Sequence, residues 1–314
     1  MSVYVLFFHP HSSLTASLYN ISGTLTRMPS DSIPDFRAAL LESKQILVVT
    51  GAGLSAASGI PTFRGDGGLW RNYDVTALAT PGGWAENQSR VWQFYHYRRE
   101  LVLKASPNPA HYVLAKLAIP DFRYKIAPHS KLTHVTQNID GLLRKAVDET
   151  KVSSGVSEES SEIVEMHGRL FDIVCTAHDC EYHEAKFDSP ICPALGGTEK
   201  ILADGITEPL VRRADLPHCP LCGQLCRPGV VWFGERPYRI KEILDLADEA
   251  DLCIVVGTSA LVQPASKLSQ RVKDHGGRVA VFNLEQSNHS EEADFLFLGP
   301  CEQRLGEVFG ETFS

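Results

Sequence analysis

Apolar residues fall along the chain in short unbroken runs rather than in strict alternation. Gln45 to Thr50 (QILVVT), Leu132 to Thr136, Asp251 to Val256 (DLCIVV), Arg278 to Phe282 (RVAVF) and Asp294 to Leu298 are such runs. Runs of this length without polar alternation predict strands buried on both faces. Stretches with helical spacing accompany them: Phe36 to Lys44 before the first, and Ile240 to Ala250, Ala265 to His275 and Glu302 to Phe309 among the later ones. Gly276 and Gly277 supply a helix stop. Strand and helix in alternation predict an α/β fold, a parallel sheet with helices on both faces.

Two segments break the alternation. Residues 64–109 carry helical and loop patterns, and residues 170–228 contain most of the cysteines but no long periodic run. Both are expected to be insertions, so the α/β domain is assembled from about 36–63, 110–169 and 229–314. The polar, acidic stretch Lys151 to Glu162 has little to bury and is expected to be a surface loop. Residues 1–35 are expected to be a leader, either disordered or targeting. Its first 30 residues lack Asp and Glu and are rich in Ser and Thr, like a mitochondrial presequence, although Arg27 is their only Lys or Arg and Met28 offers a second start.

The formal net charge of -8 argues against holding nucleic acid by bulk electrostatics. No stretch approaches the roughly 20 apolar residues of a membrane helix. Eight cysteines in 314 residues are too sparse for a disulfide scaffold, which points to an intracellular protein with a metal site. Cys175 and Cys180 stand in C-x4-C spacing and Cys219 and Cys222 in C-x2-C. Four thiolates would close a tetrahedral Zn2+ site with no position left for water, hence a structural ion. The 38 residues between the pairs exceed the common spacing, which leaves Cys192, Cys226 and His178 as substitute ligands.

The first strand run leads into Gly51, Gly53 and Ala56, a G-x-G-x-x-A turn of the kind that lets backbone approach a pyrophosphate. An acidic residue about 20 positions on, expected of a dehydrogenase, has no counterpart. The longer block Gly51 to Gly65 (GAGLSAASGIPTFRG) resembles the NAD-binding signature of the sirtuin family. Gln137, Asn138, Ile139 and Asp140 (QNID), the His167 and Gly168 pair, and Gly257, Thr258 and Ser259 (GTS) resemble further sirtuin blocks in the same order.

That resemblance implies a Rossmann-like fold with a smaller inserted zinc-binding and helical domain. It implies an enzyme that uses NAD to remove acyl groups from protein lysines, releasing nicotinamide and O-acyl-ADP-ribose; a monomer is the expectation for its oligomeric state, independent of the resemblance. His167 would be the base that takes a proton from a ribose hydroxyl. Asn138 would position the ribose or a water, and Asp140 would hold the nicotinamide carboxamide. NAD would also contact Gly51, Ala52, Gly53, Ser55, Pro61, Thr62, Phe63, Arg64, Trp70, Gln137, Ile139, Gly257, Thr258, Ser259, Asn283, Leu284, Glu285 and Cys301. Val230 to Glu235 (VVWFGE), hence Val230, Trp232, Phe233, Gly234 and Glu235, would pair with the substrate backbone as an added strand.

Tyr95 and Arg98 lie three apart in a helical stretch (VWQFYHYRRE), on one face, where a phenol and a guanidinium can grip one carboxylate. The class III sirtuins carry such a pair for succinyl, malonyl and glutaryl lysine, and Ala79 matches the small residue that widens their pocket. The expectation is an acidic acyl substrate. The alternatives are a deacetylase or ADP-ribosyltransferase, or a scaffold that senses NAD without turnover.

Overall fold

The computed structural model describes residues 17–19, 25–62, 68–157, 159–201, 209, 211–258, 267–286 and 292–310. Phe63, Arg64, Ser259 and Ala265 lie outside them. Strands β1 (Ser17–Tyr19) and β2 (Leu25–Arg27) pair with each other. The main body starts with α1 (Ile33–Glu42), β3 (Gln45–Thr50) and the single turn α2 (Gly53–Ala56). A short pair, β4 (Leu69–Trp70) and β5 (Tyr73–Asp74), precedes α3 (Val75–Leu78), α4 (Pro81–Glu86) and the long α5 (Gln88–Lys104). Helices α6 (Pro109–Ala118) and α7 (Pro120–Arg123) return the chain to β6 (Lys131–Thr136), α8 (Leu142–Ser154) and β7 (Glu162–Glu165). Then come β8 (Gly168–Cys175), β9 (His183–Ala185) and β10 (Cys226–Val230). The chain closes with α9 (Ile240–Glu249), β11 (Leu252–Val256), α10 (Leu268–Asp274), β12 (Arg278–Asn283), β13 (Phe295–Leu298) and α11 (Cys301–Phe309).

The six-stranded sheet has the order β13-β12-β11-β3-β6-β7, all neighbours parallel. Alternate residues of each strand enter two separate cores. Ile46, Val48, Ile254, Val256 and Phe282 face Phe36 of α1, Leu114 of α6, Leu143 of α8 and Leu305 of α11. Leu47, Val49, Cys253, Val255 and Val281 face Ile243 of α9 and Leu268 of α10. Strands covered on both faces are why the runs are continuous rather than alternating. The chain moves from β3 outward through β6 and β7, then crosses to the other side of β3 for β11, β12 and β13. The direction reverses between β3 and β11, the place where open α/β sheets bind ligands.

The expectation of a surface loop over 151–162 is corrected at both ends. Helix α8 runs through Ser154 because Leu142, Leu143, Ala146, Val147 and Thr150 bury one stripe while the polar residues face out, and Gly155 (φ 66°) ends it. Glu162 already belongs to β7, whose Ile163 and Val164 are buried.

The second lobe is a three-stranded antiparallel sheet, β10-β8-β9, with the four clustered cysteines at one end. Helix α5 crosses between the lobes. Trp92 buries into the cysteine lobe and donates its indole N–H to Cys226 O at 2.9 Å. Arg99, 1% exposed, donates to the carbonyls of Leu170, Lys186 and Asp188.

Candidate active site

Two glycine turns meet at the sheet's reversal. A Cβ on Gly53 would lie 2.8 Å from Gly257 Cα, and one on Gly257 would lie 2.4 Å from Leu54 N at φ +61°. A Cβ on Gly51 would meet Gly257 O and Thr258 Cβ, each at 2.9 Å. The turns after β3 and β11 are thus packed backbone on backbone, a contact that only glycine permits. Ala52 is the N-cap of α2. Thr258 Oγ1 accepts from Gln137 Nε2 at 3.3 Å, and Asn283 Nδ2, at the end of β12, reaches Thr258 O at 3.4 Å. The ends of four neighbouring strands therefore surround one polar cleft.

The loop after β6 supplies the chemistry. Asn138 Nδ2 donates to Gly51 O at 3.0 Å and to Ser55 Oγ at 3.2 Å. Ser55 donates to Asp140 Oδ2 at 2.7 Å, and Leu142 N–H donates to Asp140 Oδ1 at 2.8 Å. Burial raises the Asp140 carboxyl above the usual range, opposed by those two hydrogen bonds and by the Arg98 charge. His111 and Asn108 stand behind this network and were not singled out in the sequence. Asn108 N–H donates to His111 Nδ1 at 3.2 Å, so the His111 proton sits on Nε2, 3.5 Å from Ser55 Oγ. Burial lowers His111 to about 4. Their capping-box spacing at the start of α6 is the one signal that could have drawn notice.

His167, between β7 and β8, places Nδ1 3.1 Å from Gln137 O. A carbonyl only accepts, so Nδ1 carries the proton and Nε2 is the free basic nitrogen of the neutral ring. Burial lowers the His167 pKa, against the Gln137 bond that raises it, which favours the neutral form a base requires.

The helical insertion and the segment after β10 close the cleft. Tyr95 and Arg98 of α5 are 3% and 7% exposed, and both share the face expected of them. Arg98 Nη1 donates to Pro61 O at 3.2 Å, and its charge also acts on Tyr95 and Asp140. Trp232 donates its indole N–H to Tyr95 Oη at 3.0 Å. Arg227 lies 3.7 Å over the Trp232 ring and is held by Glu235 Oε1 and Oε2 at 2.6 and 2.7 Å. Arg227 and Trp84, which packs on Trp232, had no sequence signal. Ala79 is buried in the same cluster as Tyr95 and Trp232.

The other anticipated residues are placed as follows. Trp70 is 4% exposed, packed on Phe94 with Arg71 over its ring, so its side chain serves the core. Leu284 and Glu285 are exposed after β12, and Cys301 is buried at the start of α11. Thr62 is half-buried, and Ile139, packed on the pocket core, accepts Leu170 N–H on its carbonyl. In the Val230 to Glu235 segment, the N–H groups of Val231, Trp232, Phe233 and Glu235 already bond to His167 O, Glu235 Oε2, Ala79 O and Trp232 O. An added strand would therefore use the segment's carbonyls and Gly234.

Cys175, Cys180, Cys219 and Cys222 bring their sulfurs within 4.8 Å of one another, with Cys175–Cys222 at 3.4 Å and Cys180–Cys219 at 3.6 Å. Four thiolates about 2.3 Å from a tetrahedral zinc would stand roughly 3.8 Å apart, so the cluster fits that ion. Among the described residues neither Cys192, Cys226 nor His178 joins the cluster.

The Sir2 family model matches residues 51–264. The chain belongs to the Sir2 family. It is 43% identical over 283 residues, covering 87% of this chain and 84% of the other, to the NAD-dependent protein deacylase sirtuin-5, mitochondrial, of Xenopus tropicalis. Among solved structures it is similar to a Sir2 homologue in complex with NAD, at TM-score 0.72 and 32% identity over 92% of this chain and 98% of that one. A Sir2 complex with a p53 peptide and NAD+ superposes at TM-score 0.68 and 26% identity, over 89% and 98% of the two chains.

Proposed function

We infer that this chain is an NAD-dependent protein-lysine deacylase whose preferred substrates carry an acidic acyl group. The deacylase part rests on the family, on relatives named for that activity and on a catalytic loop that holds His167, Asn138 and Asp140 together. NAD is the co-substrate, and it supplies the ribose to which the acyl group passes as nicotinamide leaves. The packed glycine turns present bare backbone where its phosphates would lie, while Asn138, Asp140 and Ser55 line the cleft beside them. His167 Nε2 takes the proton from the ribose hydroxyl, and the Gln137 carbonyl keeps the ring in the tautomer that can do so. The four cysteines hold one structural Zn2+ outside this cleft.

The preference for succinyl, malonyl or glutaryl rests on one observation. Tyr95 Oη accepts from Trp232, and no described residue accepts the Tyr95 proton, although the side chain is buried beside cationic Arg98. A carboxylate at the end of the acyl chain supplies that acceptor for Tyr95 and a charge opposite in sign to Arg98. An acetyl group supplies neither, so the pocket selects partly by leaving the Tyr95 hydroxyl without an acceptor.

The test is nicotinamide release with matched succinyl-lysine and acetyl-lysine peptides. Succinyl turnover well above acetyl turnover is expected, whereas equal or higher acetyl turnover overturns the acyl assignment and leaves the deacylase. The relatives' names and the first 30 residues, which lack Asp and Glu, together support a mitochondrial location, which fluorescence of the full chain fused at its C-terminus would check.

A further inference from the structure

A fifth cysteine stands beside the four that form the metal cluster. Cys226 begins β10, is fully buried, and is the register partner of Cys175 across the β10–β8 ladder. Which kind of pair they form follows from the backbone. Thr176 N–H donates to Leu225 O, while Cys226 N–H turns away to Pro217 O and Cys175 N–H turns to Tyr182 O. Residues whose own N–H groups point away from each other form a non-hydrogen-bonded antiparallel pair, with Cα atoms about 4.5 Å apart and side chains on one face. Disulfides span Cα separations of about 4.4–6.8 Å, so the backbone admits a bond here without moving.

The two sulfurs differ in access. Cys175 is partly exposed and its cluster neighbour Cys222 is exposed, whereas Cys226 is closed to solvent. We propose that Cys175 and Cys226 form an oxidative modification site, in which a peroxide converts the pair to a cross-strand disulfide and releases the zinc.

The Cys175 sulfur attacks one peroxide oxygen, the O–O bond breaks and the departing hydroxide is protonated to water. The Cys226 sulfur then attacks Cys175, its proton going to the hydroxide that leaves as the S–O bond breaks. Two cysteine sulfurs lose two electrons in total, and one peroxide becomes two waters. Cys226 is suited to the second step because the metal does not hold it, while Cys180, Cys219 and Cys222 stay bound until the zinc departs. With one thiolate withdrawn into the disulfide, three ligands hold the ion more weakly and leave a position open to water or a chelator, and the ion is released. The consequence reaches α5, since Trp92 bonds the Cys226 carbonyl.

The experiment treats the full-length, zinc-loaded protein with hydrogen peroxide, follows zinc with a metallochromic chelator and maps disulfides by mass spectrometry. The expected product is a Cys175–Cys226 disulfide formed in step with release of one zinc per chain, reversed by thiol and added zinc. Cys226→Ala and Cys226→Val, each first checked for bound zinc and an unchanged melting temperature, are expected to release zinc about fivefold or more slowly, because the resolving thiol is gone. A disulfide joining two cluster residues, Cys175 to Cys222 or Cys180 to Cys219, overturns the proposal. So does zinc release from either variant at the unaltered rate.

Discussion

Trp232 and Tyr95, 137 residues apart, share a buried hydrogen bond of 3.0 Å in which the indole donates. The bond occupies one lone pair of the phenol oxygen and so restricts where its proton can point. Trp232→Phe keeps a ring against Arg227 and Trp84 but lets the Tyr95 hydroxyl rotate. Loss of one such bond is worth about 1 kcal/mol, or roughly fivefold. The succinyl-to-acetyl ratio of kcat/KM is expected to fall by that factor, mainly through a higher KM for the succinyl peptide. An unchanged ratio would show that the indole only fills space.

Arg98→Met exchanges a buried guanidinium for an apolar chain of similar length. Charge-assisted bonds to a carboxylate are worth about 1.5–3 kcal/mol, so desuccinylation is expected to drop roughly 10- to 150-fold. Deacetylation should hold or rise, since the desolvated cation is gone. Steady-state kinetics on both peptides decide it, and a parallel loss of both activities would place Arg98 in the support of Asp140 instead.

Two buried histidines predict acid sensitivity. Burial lowers His134 to about 3 and His111 to about 4, so the folded chain leaves them neutral while the unfolded chain protonates them near 6.5. Their stabilising effect is complete above about pH 6.5 and is lost as pH falls toward the folded values, at up to about 1.4 kcal/mol per pH unit for each. Urea unfolding between pH 7 and pH 4 should show this slope, and His134→Gln should flatten it whatever its effect on stability at neutral pH.

Gly257→Ala places a methyl group 2.4 Å from Leu54 N in a left-handed backbone. Strain of this kind costs about 1–3 kcal/mol before any steric shift. The melting temperature is expected to fall by several degrees and NAD titration to give a weaker Kd, because the turn must move off its partner. Gly276→Ala is the control: its φ is also positive, at +88°, yet nothing lies within 4 Å of its added Cβ, so stability should drop while NAD affinity stays.

How much of this was legible in the sequence depends on distance along the chain. Gln45–Thr50, Leu252–Val256 and Arg278–Asn283 could be read because the middle of each strand is buried on both faces and so is continuously apolar. Glu162–Glu165 could not, since only Ile163 and Val164 are buried in a four-residue strand bounded by acids. Tyr95 and Arg98 were visible as a pair because helical spacing links them. The Arg227, Glu235, Trp232 and Tyr95 chain was not, since no local pattern marks an indole that will meet a phenol 137 residues away. His111 was hidden for the same reason, 56 residues from the serine it faces.

Helix α5 presents Tyr95 and Arg98 to the cleft while Trp92, Gln93 and His96 fasten it to the cysteine lobe through Cys226 O, Pro209 O and Glu199. The placement of Tyr95 and Arg98 is therefore a property of a suspended beam rather than of two side chains. Transplanting Tyr95 and Arg98 alone into another deacylase would move the letters without the frame that aims them.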